Sequence, residues 1–344
     1  MEQSNLIQRQ IFQRQIFEYN DVLGYRFIPN IKARVQHESG GYLLRTNSSG
    51  FRCKHDFLVH KKNNINRILL FGDSFTAGEG VSDNKRYSEI LEREIKDLEV
   101  FNYGLPGSGT DQQYLAHQTF AKEIDHDILV IAVLVENIRR VASHYRYYDN
   151  DQGEKLVFAK PFYELENDEL ILRQCPPAKV PIEENDLPNS EKKAIDTGGR
   201  FQLLRKLVIK AGIKDLAQKI IKYQPIPEYN SATNPVWLIM RKILENWIIQ
   251  HQKPVILMPI PLYQHVEENS NASAYQERFQ ELSDATGCIL HDPLMDLLKY
   301  TPEQRRKFRF ERDIHLTPEG HEAIAASVAP VIKKILLTHS KEVD

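Results

Sequence analysis

Apolar runs and amphipathic stretches alternate along most of this chain. RILLFG (67–72), VFNYG (100–104), DILVIAVLV (127–135), PVILMPI (254–260) and GCILHD (287–292) are short and largely apolar, as strands covered on both faces must be. Between them, RYSEILEREIKDL (86–98), YLAHQTFAKEI (114–124), NPVWLIMRKILENWIIQ (234–250) and PEGHEAIAASVAPVIKKILL (318–337) repeat their apolar positions at helical spacing. Asn234 followed by Pro235 marks a helix start, a capping side chain ahead of a ring that has no N–H to satisfy. Trp237, Met240, Leu244 and Trp247 then recur as a core stripe. Strands alternating with helices predict a doubly wound α/β domain built on a parallel sheet.

Two segments stand outside this rhythm. Residues 1–65 begin with QRQIF twice, where Ile7, Ile11, Phe12, Ile16 and Phe17 predict an amphipathic helix. IKARVQHESGGYLLRTN alternates about Ser39-Gly40-Gly41 as a hairpin does, and Asn47-Ser48-Ser49-Gly50 reads as a further turn. So short a piece makes a marginal core alone, and it is expected to pack on the main domain, residues 66–340. The second segment is an insertion over 141–233. Within it, KLVFAKPFYELENDELIL predicts a hairpin about Glu166-Asn167-Asp168, and PIEENDLPNSEKKAIDTGG is polar and rich in turn formers. Between Arg200 and Lys222 stand seven basic residues and one acidic one, the solvated face of a helix or a surface for an anion.

Composition removes several classes of function. The chain has 344 residues, 41% of them hydrophobic, which is enough for a sizeable core. With 45 basic against 47 acidic residues its net charge is −2, giving no general pull toward nucleic acid or an anionic surface. The longest wholly apolar run, Ile128 to Val135, is eight residues, against roughly 20 for a membrane-spanning helix. The first residues lack the apolar centre of a secretory signal. A cytoplasmic location is therefore expected, with no nucleic acid as partner and no integral membrane association. Cys53, Cys175 and Cys288 lack CxxC spacing, so neither a disulfide framework nor a metal site is indicated, and all three are expected to be buried or inert.

The chemistry is concentrated where the first strand ends, in GDSFTAGEG (72–80). Phosphate-binding loops need G-x-x-x-x-G-K-[ST], and here Glu79 stands where the lysine belongs. Neither a G-x-G-x-x-G fingerprint at this turn nor any G-x-S-x-G elbow is present. What remains is Ser74, beyond the carboxyl end of a strand, where open α/β sheets carry their sites. A serine hydroxyl needs a base, an acid to orient that base, and donors for an oxyanion. Gly107 in NYGLPGSGTDQQ, Asn137 after DILVIAVLV, and Asp313 with His315 in RDIHLTPEGH supply residue types for each part. Each also has a bland reading: Ser74 and Asp73 as turn residues, Asn137 as a helix cap, His315 and His321 as polar groups at a helix start.

In order and spacing these four blocks resemble the SGNH (GDSL) hydrolase superfamily, over roughly residues 66 to 338 apart from the insertion. The resemblance implies an SGNH/flavodoxin-like three-layer fold with Ser74 as nucleophile and His315 as base, oriented by Asp313. Backbone at Ser74 and Gly107, with Asn137, would form the oxyanion hole. The chain departs from the family pattern twice. It has Val135-Glu136-Asn137-Ile138 in place of G-x-N-D, and Asp313 precedes His315 by two positions rather than three. The expected activity is hydrolysis of O-acyl esters, acetyl foremost, on a carbohydrate or other small molecule, with no cofactor and no metal. Transfer of the acyl group to a hydroxyl acceptor and a non-catalytic binding module on the same fold are the alternatives. Tyr145, Tyr147 and Tyr148 follow Asn137 closely and could stack on sugar rings, so the insertion is expected to lie near the active site.

Overall fold

The computed structural model describes residues 16–149, 155–183, 186–187 and 224–340. The described residues begin with two antiparallel hairpins, β1 (Phe17–Asn20) with β2 (Gly24–Phe27) and β3 (Lys32–Val35) with β4 (Tyr42–Arg45). The second is the hairpin expected about Ser39-Gly40-Gly41. Most of the expected N-terminal helix falls outside the described residues. Its last part is instead strand β1, because Phe17 pairs with Phe27 and stacks on it at 4.6 Å, a partner that periodicity within one segment cannot reveal.

The main domain then runs β5 (Asn66–Phe71), α1 (Ser74–Ala77), α2 (Tyr87–Glu94), β6 (Leu98–Asn102), α3 (Thr110–Ala116), β7 (Ile128–Leu134) and α4 (Asn137–Val141). Two more hairpins follow, β8 (Tyr145–Asp149) with β9 (Lys155–Ala159) and β10 (Phe162–Glu166) with β11 (Glu169–Arg173). Only the second of these was expected from the sequence. The chain closes with α5 (Pro235–Ile249), β12 (Val255–Ile260), α6 (Ser273–Thr286), β13 (Ile289–Leu290) and α7 (Pro318–Ser340). Helix α6 was not among the expected helices, since Tyr275, Phe279 and Leu282 are the only large apolar side chains on its buried face.

One sheet organises the domain, in the order β13-β12-β7-β5-β6, with every pair parallel. Counted along the chain this is the order 2-1-3-4-5, whose direction reverses between β5 and β7. Strand β7 is buried at all seven positions, as a central strand covered on both faces should be. Helix α2 packs against α7, while α3, α4 and α6 pack on α5, which makes three layers. The stripe of Trp237, Met240, Leu244 and Trp247 is wholly buried. Tyr25, Phe27 and Leu44 from the N-terminal hairpins, and Phe51 from the turn after them, belong to the same core as the sheet.

The basic stretch between Arg200 and Lys222 lies outside the described residues. Cys53 is buried, Cys288 is partly so and Cys175 is exposed, and partial burial raises the pKa of the Cys175 thiol. Among the described residues no helix is long and apolar enough to cross a membrane.

Candidate active site

Strand β5 is buried from Arg67 to Phe71 and stops at Gly72. Asp73 then turns the chain: its Oδ1 accepts the Phe75 N–H at 3.0 Å, capping α1. Ser74 is the first residue of that helix, at the carboxyl edge of the sheet beside the β5/β7 reversal. Gly78, with φ of 75°, closes the helix in the left-handed conformation that glycine adopts without strain. Asp73 thus serves as a turn residue, and its other oxygen binds Arg140.

His315 and Asp313 come 241 and 239 positions after Ser74, on the loop before α7. His315 Nε2 lies 2.7 Å from Ser74 Oγ, and its Nδ1 lies 2.6 Å from Asp313 Oδ1. Burial would raise the Asp313 carboxyl, but hydrogen bonds from His315 and His37 hold it far below the usual carboxylate range. It is therefore ionised and can only accept, so the neutral His315 ring carries its proton on Nδ1 and offers a lone pair at Nε2 to the serine hydroxyl. Burial disfavours the charged imidazolium, yet Asp313, Glu79 and Asp73 together outweigh it and raise the His315 pKa. The short D-x-H spacing suffices because Asp313 Oδ1 also accepts the His315 backbone N–H at 3.1 Å, closing a tight local turn.

Asn137 begins α4, with two residues between it and the end of β7, and is fully buried. Its Oδ1 accepts from Arg140 Nη1 at 3.0 Å, which settles the amide's orientation because a guanidinium can only donate. Its Nδ2 has no hydrogen-bond partner among the described residues, a costly condition for a buried donor unless something else is to fill it. Gly107 lies on the loop between β6 and α3 with φ of 74°, and a Cβ there would land on the Arg146 guanidinium. That loop is braced from both sides. Tyr25 from β2 donates to the Pro106 carbonyl at 2.6 Å, and Arg146 from β8 donates to it at 3.0 Å. Arg146 also lies over the Tyr25 ring, 4.2 Å from its centre.

Several residues at the site were not expected from the sequence. Arg140 Nη1 donates at once to Asp73 Oδ2 (2.6 Å), Ser108 O (3.1 Å) and Asn137 Oδ1 (3.0 Å). It ties the serine turn, the Gly107 loop and Asn137 into one unit. Its one sequence signal was its position, a turn after Asn137. Glu79 stands 3.8 Å from His315 Nε2. His37 and Glu38 reach the Asp313 loop from the β3–β4 turn. His321 stays out of the site: it is fully buried, accepts the Tyr87 N–H, and burial with nearby Arg86 and Arg52 lowers its pKa to about 3.

A parallel sheet of order 2-1-3-4-5 with helices on both faces makes this a doubly wound, three-layer α/β fold. The chain belongs to the GDSL-like lipase/acylhydrolase family, whose model matches residues 70–323. It is also similar to several solved structures. One is a lipase/acylhydrolase from Enterococcus faecalis, with 16% identity, a TM-score of 0.42, and coverage of 78% of this chain and 96% of that one. A second is the acetyl xylan esterase AlAXEase, with 15% identity, a TM-score of 0.43, and coverage of 77% and 99%. A third is the esterase EstA from Pseudoalteromonas sp., with 12% identity, a TM-score of 0.40, and coverage of 79% and 98%. A search of curated protein sequences finds no match.

Proposed function

We propose that the chain is a serine esterase that removes O-acyl groups, acetyl foremost, from a carbohydrate or another small molecule through an acyl-enzyme on Ser74. The observation that carries this reading is the continuous path Asp313 Oδ1 – His315 Nδ1 (2.6 Å) and His315 Nε2 – Ser74 Oγ (2.7 Å). In the first step His315 Nε2 takes the Ser74 proton as Oγ bonds to the ester carbonyl carbon, and the carbonyl becomes an oxyanion. The N–H groups of Ser74 and Gly107 and the Asn137 side-chain amide hold that charge, donors of a kind worth about 3–4 kcal/mol each in the transition state. The imidazolium, steadied by Asp313, returns its proton to the leaving alcohol. A water then repeats the sequence on the acyl-enzyme and frees the acid. Every group in the sequence comes from the chain itself, and no cofactor is called upon. The carbohydrate part of the reading draws on Tyr145 and Tyr147, half-buried on β8, on the face opposite to that of Arg146. Of the insertion over 141–233, strand β8 stands beside the Gly107 loop through Arg146.

The direct test is labelling with a fluorophosphonate, with the modified residue located by mass spectrometry. The label is expected on Ser74, and Ser74→Ala should keep its circular dichroism while losing hydrolysis of p-nitrophenyl acetate. A folded S74A protein that hydrolyses the ester at the parental rate would sink the mechanism.

A further inference from the structure

A second histidine stands behind the Asp313–His315 pair. His37 lies in the turn between β3 and β4, its side chain only 5% exposed, with its ring edge-on to Phe310 at 4.5 Å. The Ser39 backbone N–H, which can only donate, meets His37 Nδ1 at 3.2 Å. Nδ1 therefore offers its lone pair, and the ring proton is on Nε2. That proton points at Asp313 Oδ2, 3.1 Å away. The other carboxylate oxygen, Oδ1, is the one that holds the His315 ring.

The same turn grips the backbone on both sides of the site. Glu38 Oε1 accepts the N–H groups of Arg312 (3.1 Å) and Asp313 (2.7 Å). The Ser39 hydroxyl lies 3.0 Å from His37 Nδ1 and 3.2 Å from the Gly80 carbonyl, on the loop that follows Ser74. Asp313 needs such support. Its side chain is 27% exposed, and only one residue separates it from His315. The His315 ring and backbone N–H both hold Oδ1, and a donor on Oδ2 fixes the remaining rotation of the carboxylate.

We propose that His37 is a positioning residue: by donating from Nε2 to Asp313 Oδ2 it holds the carboxylate in the orientation in which Oδ1 faces the His315 ring. The N-terminal hairpin thereby extends the path to four side chains, His37, Asp313, His315 and Ser74. This rests on the esterase reading above. His37 reaches the reaction only through Asp313 and His315, so its removal bears on turnover and not on substrate binding.

The test uses full-length His37→Leu, His37→Gln and His37→Asn with p-nitrophenyl acetate, beside Ser74→Ala. H37L is expected to lower kcat on the order of tenfold, about 1.4 kcal/mol in the barrier, with KM unchanged. H37Q, whose amide nitrogen extends to the place of Nε2, should recover most of the loss. H37N, whose amide ends near the place of Nδ1, should not, and this pair carries the test if H37L does not fold. A readout independent of turnover is the far-downfield proton resonance of His315 Nδ1, which should broaden or move upfield in H37L and H37N and persist in H37Q. Parental kcat and an unchanged resonance in H37L or H37N, with S74A inactive, would overturn the role of His37 and leave the esterase reading standing. Equal losses in all three His37 variants, tracking lowered melting temperatures, would also overturn it. S74A retaining parental activity would remove both.

Discussion

At Asn137 a buried amide donor lacks a partner among the described residues while its oxygen accepts from Arg140. A lone unsatisfied donor costs about 1–3 kcal/mol, a cost that the proposed oxyanion would offset. Asn137→Ala is therefore expected to lower kcat by roughly a hundredfold or more, the usual effect of removing one such donor, with little change in KM or in folding. Steady-state kinetics beside a thermal melt would check it, and an unchanged kcat would remove Asn137 from the oxyanion site. Glu79 supports a prediction of a different kind. In the proposed mechanism His315 is the base and works only when neutral, so kcat/KM should rise with pH through its raised pKa. Burial pushes that pKa down, while Asp313, Glu79 and Asp73 push it up. Replacing Glu79 by Gln takes away one anion, the imidazolium loses support, and the pKa falls. The acid limb of the kcat/KM profile should therefore shift to lower pH in E79Q. A shift to higher pH, or none, would mean that Glu79 does not act on the imidazole.

Among the elements, the segments flanking the sheet matter because they brace its loops. Arg52, from the N-terminal segment, is 1% exposed. Its guanidinium donates to the carbonyls of Ala77 (3.0 Å), Val81 (2.6 Å) and Leu43 (3.0 Å) and to Asp83 (2.9 Å). It binds the loop behind Ser74 from below. Arg52→Ala leaves several buried carbonyls and one carboxylate without their donor, and a loss of about 3–5 kcal/mol of stability is expected, as when other buried ion pairs are broken. Urea unfolding would measure it, and a change below about 0.5 kcal/mol, typical of surface substitutions, would show that the network is dispensable. The insertion braces the opposite loop in the same way. Arg146 of β8 covers Gly107, and Lys160 pairs with the buried Asp111 at the start of α3. Neither arginine nor the lysine belongs to a recognisable sequence pattern. Each acts on carbonyls or carboxylates far away along the chain, and residue spacing carries no trace of that.

For the whole molecule, the N-terminal hairpins and the sheet share one core. Tyr25, Phe27, Leu44 and Phe51 are buried in it, and His37, Arg52 and Tyr25 reach loops of the site. We therefore expect a chain begun at residue 66 to fail as an independent enzyme. Near-ultraviolet circular dichroism should show lost side-chain packing, and fluorophosphonate labelling of Ser74 should fall with it. A truncated protein that melts cooperatively and labels at the parental rate would mean that residues 1–65 are an ornament on a self-sufficient domain.

How much of this was legible beforehand follows from the range over which each pattern operates. The alternation of apolar strands and amphipathic helices is local, and periods of two and 3.6 residues persist in any sequence that buries them. The parallel sheet, its helices and the hairpins about Ser39-Gly40-Gly41 and Glu166-Asn167-Asp168 could be read from it. Helix α6 could not, with so few large apolar residues on its buried face, nor could β1, whose strand state depends on Phe27. Ser74, Gly107, Asn137, Asp313 and His315 were readable as candidates because each stands where a strand ends or a helix begins. That His315 Nε2 lies 2.7 Å from a hydroxyl 241 positions away is a property of the folded chain alone, as are the reach of Arg140 across three loops and the contact of His37 with Asp313. The amino-acid order sufficed to determine which segments are strands and helices and which residues could react, since those follow from short-range spacing and burial. Only the tertiary structure decided which of those residues meet and what orients them, because a hydrogen bond is made across a few ångströms of space whatever the separation along the chain.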